Sequence, residues 1–199
     1  MKPLRSTFDA RFAAGAIALA CAYAAVAAGC ESPVQDEEIA AQGDEVAGVP
    51  EGPFHRYGQN CLACHGGYGP GPQFLLAGTV FATPDADIPV LGATVTVTDS
   101  AGTTIPVVSN CAGNFYIDIE GWEAEFPLRV EVACPMPDGS IRRNVMGTRI
   151  NRDGGCASCH ERGVATADSP GQIFCAKTQP DPPFEIPASC EGGPLAGSQ

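Results

Sequence analysis

Two pentapeptides in this chain carry side chains able to do chemistry: Cys61-Leu62-Ala63-Cys64-His65 and Cys156-Ala157-Ser158-Cys159-His160. Each has the form C-x-x-C-H. That spacing suits covalent attachment of haem c. The two thiols bond to the two vinyl groups of the porphyrin, and the adjoining imidazole stands under the iron as its proximal ligand. Two such pentapeptides in a chain with three histidines predict two covalent haems. Cys61, Cys64, Cys156 and Cys159 are the expected tethers, and His65 and His160 the expected proximal ligands. The competing chemistry for the same residues is a redox dithiol or a four-cysteine zinc site, with the histidines incidental.

Sixth ligands are scarcer. His55 is the remaining histidine, six residues before Cys61. It is too near along the chain to reach easily over the far face of its own haem, so the spacing directs it toward the second. It also reads as a plain surface histidine. Met146 and Met136 could each supply a thioether, which raises the potential, but both also suit core or edge positions. A Rieske cluster is excluded because it needs a residue between cysteine and histidine, whereas Cys64 and His65 are adjacent. Asp and Glu stand in no paired catalytic context. Gly66-Gly67-x-Gly69 follows a pentapeptide and not a strand, so it is not a phosphate loop.

The chain begins with what reads as an export leader over residues 1–29. Lys2, Arg5 and Arg11 give a basic start, an Ala-rich uncharged stretch follows, and Ala27-Ala28-Gly29 precede Cys30. This resembles a bacterial lipoprotein lipobox, with Ala27 where Leu is usual. The resemblance implies a lipid on Cys30 and a membrane contact through it, at the periplasmic side or the cell surface. Ordinary cleavage without lipid is the alternative, and a retained membrane anchor is borderline because the apolar run is short. The full chain carries a formal charge of −12, and loss of the basic leader makes it more acidic still. Nucleic-acid binding is excluded on that balance. An acidic surface suits solubility and also a basic redox protein partner.

Ten cysteines point to an oxidising compartment. Cys21 belongs to the leader, Cys30 to the lipid and four to the pentapeptides, which leaves Cys111, Cys134, Cys175 and Cys190. These four allow three pairings. The favoured one is Cys111–Cys134 within one β-module and Cys175–Cys190 around a Pro-rich tail.

The elements that must position this chemistry follow from pattern. Residues 30–53 are acidic and poor in large apolar side chains, and read as a tether. Residues 54–75 hold the first pentapeptide and a Gly- and Pro-rich loop. Residues 76–150 read as β throughout. Thr94-Val95-Thr96-Val97-Thr98, then Phe115, Ile117 and Ile119, then Leu128, Val130 and Val132 alternate with polar neighbours at period two. Asp99-Ser100-Ala101-Gly102 and Pro137-Asp138-Gly139 are turns. Trp122 and Phe126 read as caps on the sandwich. Residues 151–199 hold the second pentapeptide and a loop-rich tail. The fold class expected is mainly β: a small antiparallel β-sandwich flanked by loop-rich haem-binding segments, with both pentapeptides near one another.

Gly78-Thr79-Val80, Pro89, Gly92-Ala93-Thr94-Val95-Thr96-Val97, Asp99, Gly102 and Gly113-Asn114-Phe115-Tyr116 resemble the carboxypeptidase regulatory-like domain over roughly residues 76–134. Ser109-Asn110 stand where that family has Thr-Asp, and Cys111 is inserted in the turn. The resemblance implies a transthyretin-like β-sandwich without catalytic residues, common on exported proteins. Likeness to c-type cytochromes is confined to the two pentapeptides, because the helices of that fold are missing from the pattern. The function expected is electron transfer by an exported dihaem c-type cytochrome, not an enzyme. The other classes are a surface β-sandwich binding or structural module whose C-x-x-C pairs bind metal or form disulfides, and haem enzymology such as peroxidase chemistry.

Overall fold

Leu75 to Ala82 is almost unbroken in apolar residues, unlike the alternating strands around it. A strand reads that way when both of its faces are covered. In the computed structural model, which describes residues 32–45, 49, 51–67, 69, 71–185 and 190, this segment is strand β1, Phe74–Phe81, buried from Leu76 onward on both faces. Leu76 and Val80 point into the sandwich core. Phe81 points the other way, against Tyr57 and Ala112.

The remaining strands are β2 (Thr94–Thr98), β3 (Thr104–Val108), β4 (Asn114–Asp118), β5 (Arg129–Pro135), β6 (Ile141–Val145) and β7 (Ile173–Phe174). They form two sheets, ordered β4-β1-β7 and β3-β2-β5-β6. All pairs are antiparallel except β1 with β7. The mainly β sandwich expected from the pattern is what the chain forms. Val95 and Val97 of β2, Phe115 and Ile117 of β4, and Val130 and Val132 of β5 meet in the core, as period-two alternation requires. Ile119 leaves the alternation. It opens a 3-10 turn, Ile119–Gly121, and stands exposed. Trp122 and Phe126 pack against the core edge. Strand β6 stops at Val145, and beyond it Ile150 only bridges Leu128.

Residues 38–199 form one compact unit and residues 1–37 another, of which 32–37 are described. Among the described residues two short α-helices occur, α1 (Pro33–Ala41) and α2 (Leu62–His65). The leader and Cys30 lie outside the described residues. Among the described residues no helix is long and apolar enough to cross a membrane.

Three expectations change. The tether reading of 30–53 does not cover Glu38 to Glu45, which hydrogen-bond to the first pentapeptide segment: Asn60 Nδ2 donates to Glu38 Oε1 at 2.6 Å and Arg56 Nε to Glu45 Oε1 at 3.0 Å. The tail is not only loop, since β7 completes the first sheet beside β1. The disulfides also differ from the favoured pairing. Cys111 joins Cys190, and Cys134 joins Cys175, with Cα–Cα separations of 5.7 and 5.6 Å. The reason is strand direction. Cys134 continues the inward face of Val130 and Val132 on β5 and meets Cys175 just after β7 in the core, whereas Cys111 lies in the β3–β4 turn on the far side of β1. Both bridges therefore tie the tail to the sandwich, and they mark an oxidising, extracytoplasmic compartment.

Candidate functional site

The two pentapeptides fold as the same turn. His65 N–H donates to Cys61 O at 2.9 Å, and His160 N–H donates to Cys156 O at 2.8 Å. In each, the second cysteine N–H also reaches back to the first cysteine carbonyl, at 3.2 Å. One helical turn sets both thiols and the imidazole on neighbouring positions. All four cysteines are free thiols.

The rings are oriented alike as well. His65 Nδ1 lies 2.7 Å from Pro72 O, and His160 Nδ1 lies 2.9 Å from Gly171 O. A carbonyl only accepts, so Nδ1 carries the hydrogen and Nε2 keeps its lone pair. That is the arrangement that fixes tautomer and direction in a metal-ligating histidine. The chemistry of these donors fits a covalent iron porphyrin at each pentapeptide: two free thiols, then an imidazole with Nε2 held as an acceptor.

Strand β1 brings the pentapeptides together. Gly154 O accepts from Ala77 N–H at 3.0 Å, and Gly155 bridges Ala77 in parallel register, on the edge that β7 occupies further along. Cys156 then packs onto Gly78. A Cβ at Gly78 would stand 2.7 Å from Cys156 Cβ and 2.9 Å from its Sγ, so only glycine admits the cysteine there. Leu62 sits over Gly155 from the other side, where an added Cβ would stand 3.4 Å from the leucine Cβ. Burial pushes the Cys61 thiol up to about 11. Burial pushes Cys156 up to about 12, and negative charge on Cys61 adds to this. The two segments approach one another at Gly155, where an added Cβ would stand 2.6 Å from Asn60 Oδ1. Among the described residues no three His, Cys, Asp or Glu side chains gather as a metal site.

A cavity of about 610 Å³ opens beside the first pentapeptide, within the usual range for a cofactor pocket. Cys61, Cys64, His65 and His55 line it, with Phe74, Ala77 and Tyr116 from the sheet. No residue of the second pentapeptide lines it. The His65 ring stacks on Phe74 with centroids 4.4 Å apart, and Phe74 stacks on Tyr116 at 4.6 Å. Gly71 closes the other side, where a Cβ would collide with the His65 ring.

His55 is placed differently from the expectation. It stands in the first segment's own cavity, with its ring centre 5.9 Å from that of His65. The chain reverses at Arg56, which has φ 48°, a left-handed conformation uncommon for any residue with a Cβ. Three hydrogen bonds hold it: Nε to Glu45 Oε1, Nη1 to Gly43 O at 2.9 Å, and Nη1 to Gln59 Oε1 at 3.0 Å. The reversal returns His55 beside its own pentapeptide despite the short chain separation. Burial lowers the His55 pKa, against the upward pull of Glu45. Met136 is buried in the sandwich core and Met146 packs against it; neither lines the cavity.

Pattern missed the residues that hold His55 to the sheet. Asn114 Nδ2 donates to His55 O at 3.0 Å and, at 3.3 Å, to Pro53 O. Thr79 Oγ1 donates to Asn114 Oδ1 at 2.8 Å and accepts from Gly58 N–H at 2.7 Å. Thr79 and Asn114 are polar side chains on a strand pair otherwise apolar at those positions, and a buried polar pair there signals a bound partner. The second pentapeptide has a smaller equivalent in buried Ser169, whose Oγ donates to Cys159 O at 2.7 Å and accepts from Glu161 and Gly171 N–H, each at 3.1 Å.

No protein-family model matches the chain, and no curated protein and no solved structure matches it either.

Proposed function

We propose that this protein is an exported dihaem c-type cytochrome that carries electrons and is not a catalyst. The observation that supports this reading best is the shared ring hydrogen bond. Both pentapeptide histidines give Nδ1–H to a backbone carbonyl and keep Nε2 free. Cys61 and Cys64 would hold the first haem and Cys156 and Cys159 the second, each thiol adding across a vinyl group with sulfur on one carbon and hydrogen on the other. His65 and His160 would be the proximal ligands. Each haem iron, when bound, supplies a one-electron ferric–ferrous couple.

The chain's own residues do the rest. The two pentapeptide turns position thiols and imidazoles. Phe74, Tyr116 and the sheet line the first site with aromatic and apolar surface, beside which charge interactions are stronger than in open water. Both segments adjoin β1, Cys156 at Gly78 and Leu62 over Gly155, which supports transfer between the two haems within one chain. The β-sandwich is the scaffold, read here as a carboxypeptidase regulatory-like module. The leader and Cys30 suit export with lipid attachment at the periplasmic or outer surface, and the acidic surface suits a basic redox protein as partner.

Intact-mass measurement of protein matured in a host that attaches haem c tests the reading. The expected mass is the polypeptide plus two haems, and a haem-stained band survives denaturing electrophoresis. A bare polypeptide mass, with zinc found by metal analysis, overturns it.

A further inference from the structure

We propose that His55 is the sixth ligand of the haem carried by its own segment, opposite His65, so that all three histidines are committed and none remains for the second haem. The inference rests on the dihaem reading above.

Four observations carry it. First, two imidazoles bonded to one metal from opposite sides, each at about 2.0–2.1 Å, have ring centres roughly 6–6.5 Å apart. The His55 and His65 centres lie 5.9 Å apart. Second, both rings line the same cavity as Cys61 and Cys64. Third, His55 Nδ1 is buried without a hydrogen-bond partner, with Glu45 Oε1 at 3.7 Å, beyond hydrogen-bond reach. A buried ring nitrogen left unpaired is costly and asks for a function. Ligation through Nε2 fixes the hydrogen on Nδ1, where Glu45 is placed to accept it once the ring settles, the carboxylate–histidine–metal pattern of ligating imidazoles. Fourth, the approach is enforced. Arg56 holds a left-handed backbone through three hydrogen bonds, and Asn114 and Thr79 anchor the His55 carbonyl to the sheet. Strain held in place by so many contacts marks a position that must be kept.

The consequence is a chain with two unlike haems. The first has histidine on both sides of the iron. The second, at His160, takes its sixth ligand from another side chain or from solvent.

The test is His55→Ala in the full-length, haem-loaded protein, read by electron paramagnetic resonance and by carbon monoxide binding after reduction. The expected result is conversion of one haem per chain from six-coordinate low spin to high spin, with one added equivalent of carbon monoxide bound. Added imidazole restores the low-spin signal. His55→Met, which keeps a ligand and most of the volume, guards against simple misfolding: it keeps the haem six-coordinate and shifts its potential upward. The same His55→Ala change in a Cys156→Ala/Cys159→Ala background converts all remaining haem. Unchanged spectra in His55→Ala, with two haems still present by mass, overturn the ligand assignment alone. A wild-type mass without haem overturns the dihaem reading and this inference with it.

Discussion

The two pentapeptides share one turn and one ring hydrogen bond, yet they live in unlike surroundings. The first lies inside a wall built from four stretches of chain: Gln42 to Glu45, Glu51 to Cys61, Gly71 to Ala77 and Asn114 to Asp118. Its histidine is 9% exposed and stacked on an aromatic pair. The second lies on a loop that closes on itself, with Thr166 N–H donating to Ser169 O and Gln172 N–H to Gly163 O. Its second cysteine is exposed. The contrast teaches that a short motif fixes its own backbone and ring orientation, because those depend on bonds a few residues apart. How dry the site is depends on what the rest of the chain packs against it. Burial is one of the levers that set haem potential, so the proposed pair would differ in potential even with identical attachment chemistry.

The comparison is broken most directly by removing one attachment pair at a time. Cys61→Ala/Cys64→Ala empties a walled cavity and frees the packing of residues 38–61. It is expected to lower unfolding free energy by about 2–4 kcal/mol, whereas Cys156→Ala/Cys159→Ala, which loosens the Cys156 packing on Gly78 but opens no walled cavity, costs about 1–2 kcal/mol. Each variant keeps one haem by mass. Denaturant unfolding of the holoproteins measures both, and equal losses would mean that enclosure does not distinguish the sites.

Next in size are the polar anchors. Asn114→Ala leaves the His55 carbonyl and the Thr79 hydroxyl proton short of a partner, while the Pro53 carbonyl keeps Asn110 Nδ2 at 2.6 Å. It is expected to cost about 1–3 kcal/mol and to perturb the first haem's spectrum only. Ser169→Ala removes the hydroxyl that ties Cys159 to Glu161 and Gly171. It is expected to cost about 1 kcal/mol and to alter only the second. Calorimetry with optical spectra of the single-haem variants separates the two. A spectral change at the wrong site would show that the anchors are not private to their segments.

The last effect is absent at neutral pH and appears only in alkali, and only without haem. Burial disfavours the thiolate, and it pushes Cys61 from the ordinary thiol value up to about 11 and Cys156 up to about 12. A raised folded pKa means that the folded state holds its proton longer. The stabilisation is complete below about pH 9 and is lost as pH rises toward 11 and 12. Haem-free protein should therefore lose stability across that window, while thioether-linked protein, whose sulfurs do not titrate, should lose none by this route. Thermal unfolding of both forms from pH 7 to 11 checks it. A matching decline in the holoprotein would assign the loss to other groups.

Several features were legible in the residues alone. Period-two alternation located β2, β4 and β5, since an alternating strand needs one apolar face to bury. The C-x-x-C-H spacing located both turns, because that geometry is local. The continuous apolar run from Leu75 to Ala82 carried a further message, that both faces of β1 are covered, but not by what. Only tertiary structure decided the rest. Disulfide partners depend on which face each strand turns inward, so Cys134 found Cys175 across the core and Cys111 found Cys190 on the far side of β1. His55 depends on a chain reversal at Arg56 that no spacing rule encodes, and on Asn114 lying 59 residues away in sequence. Local bonds are written in neighbouring residues. Enclosure and pairing are sums over distant ones, and they exist only once the sheets have formed.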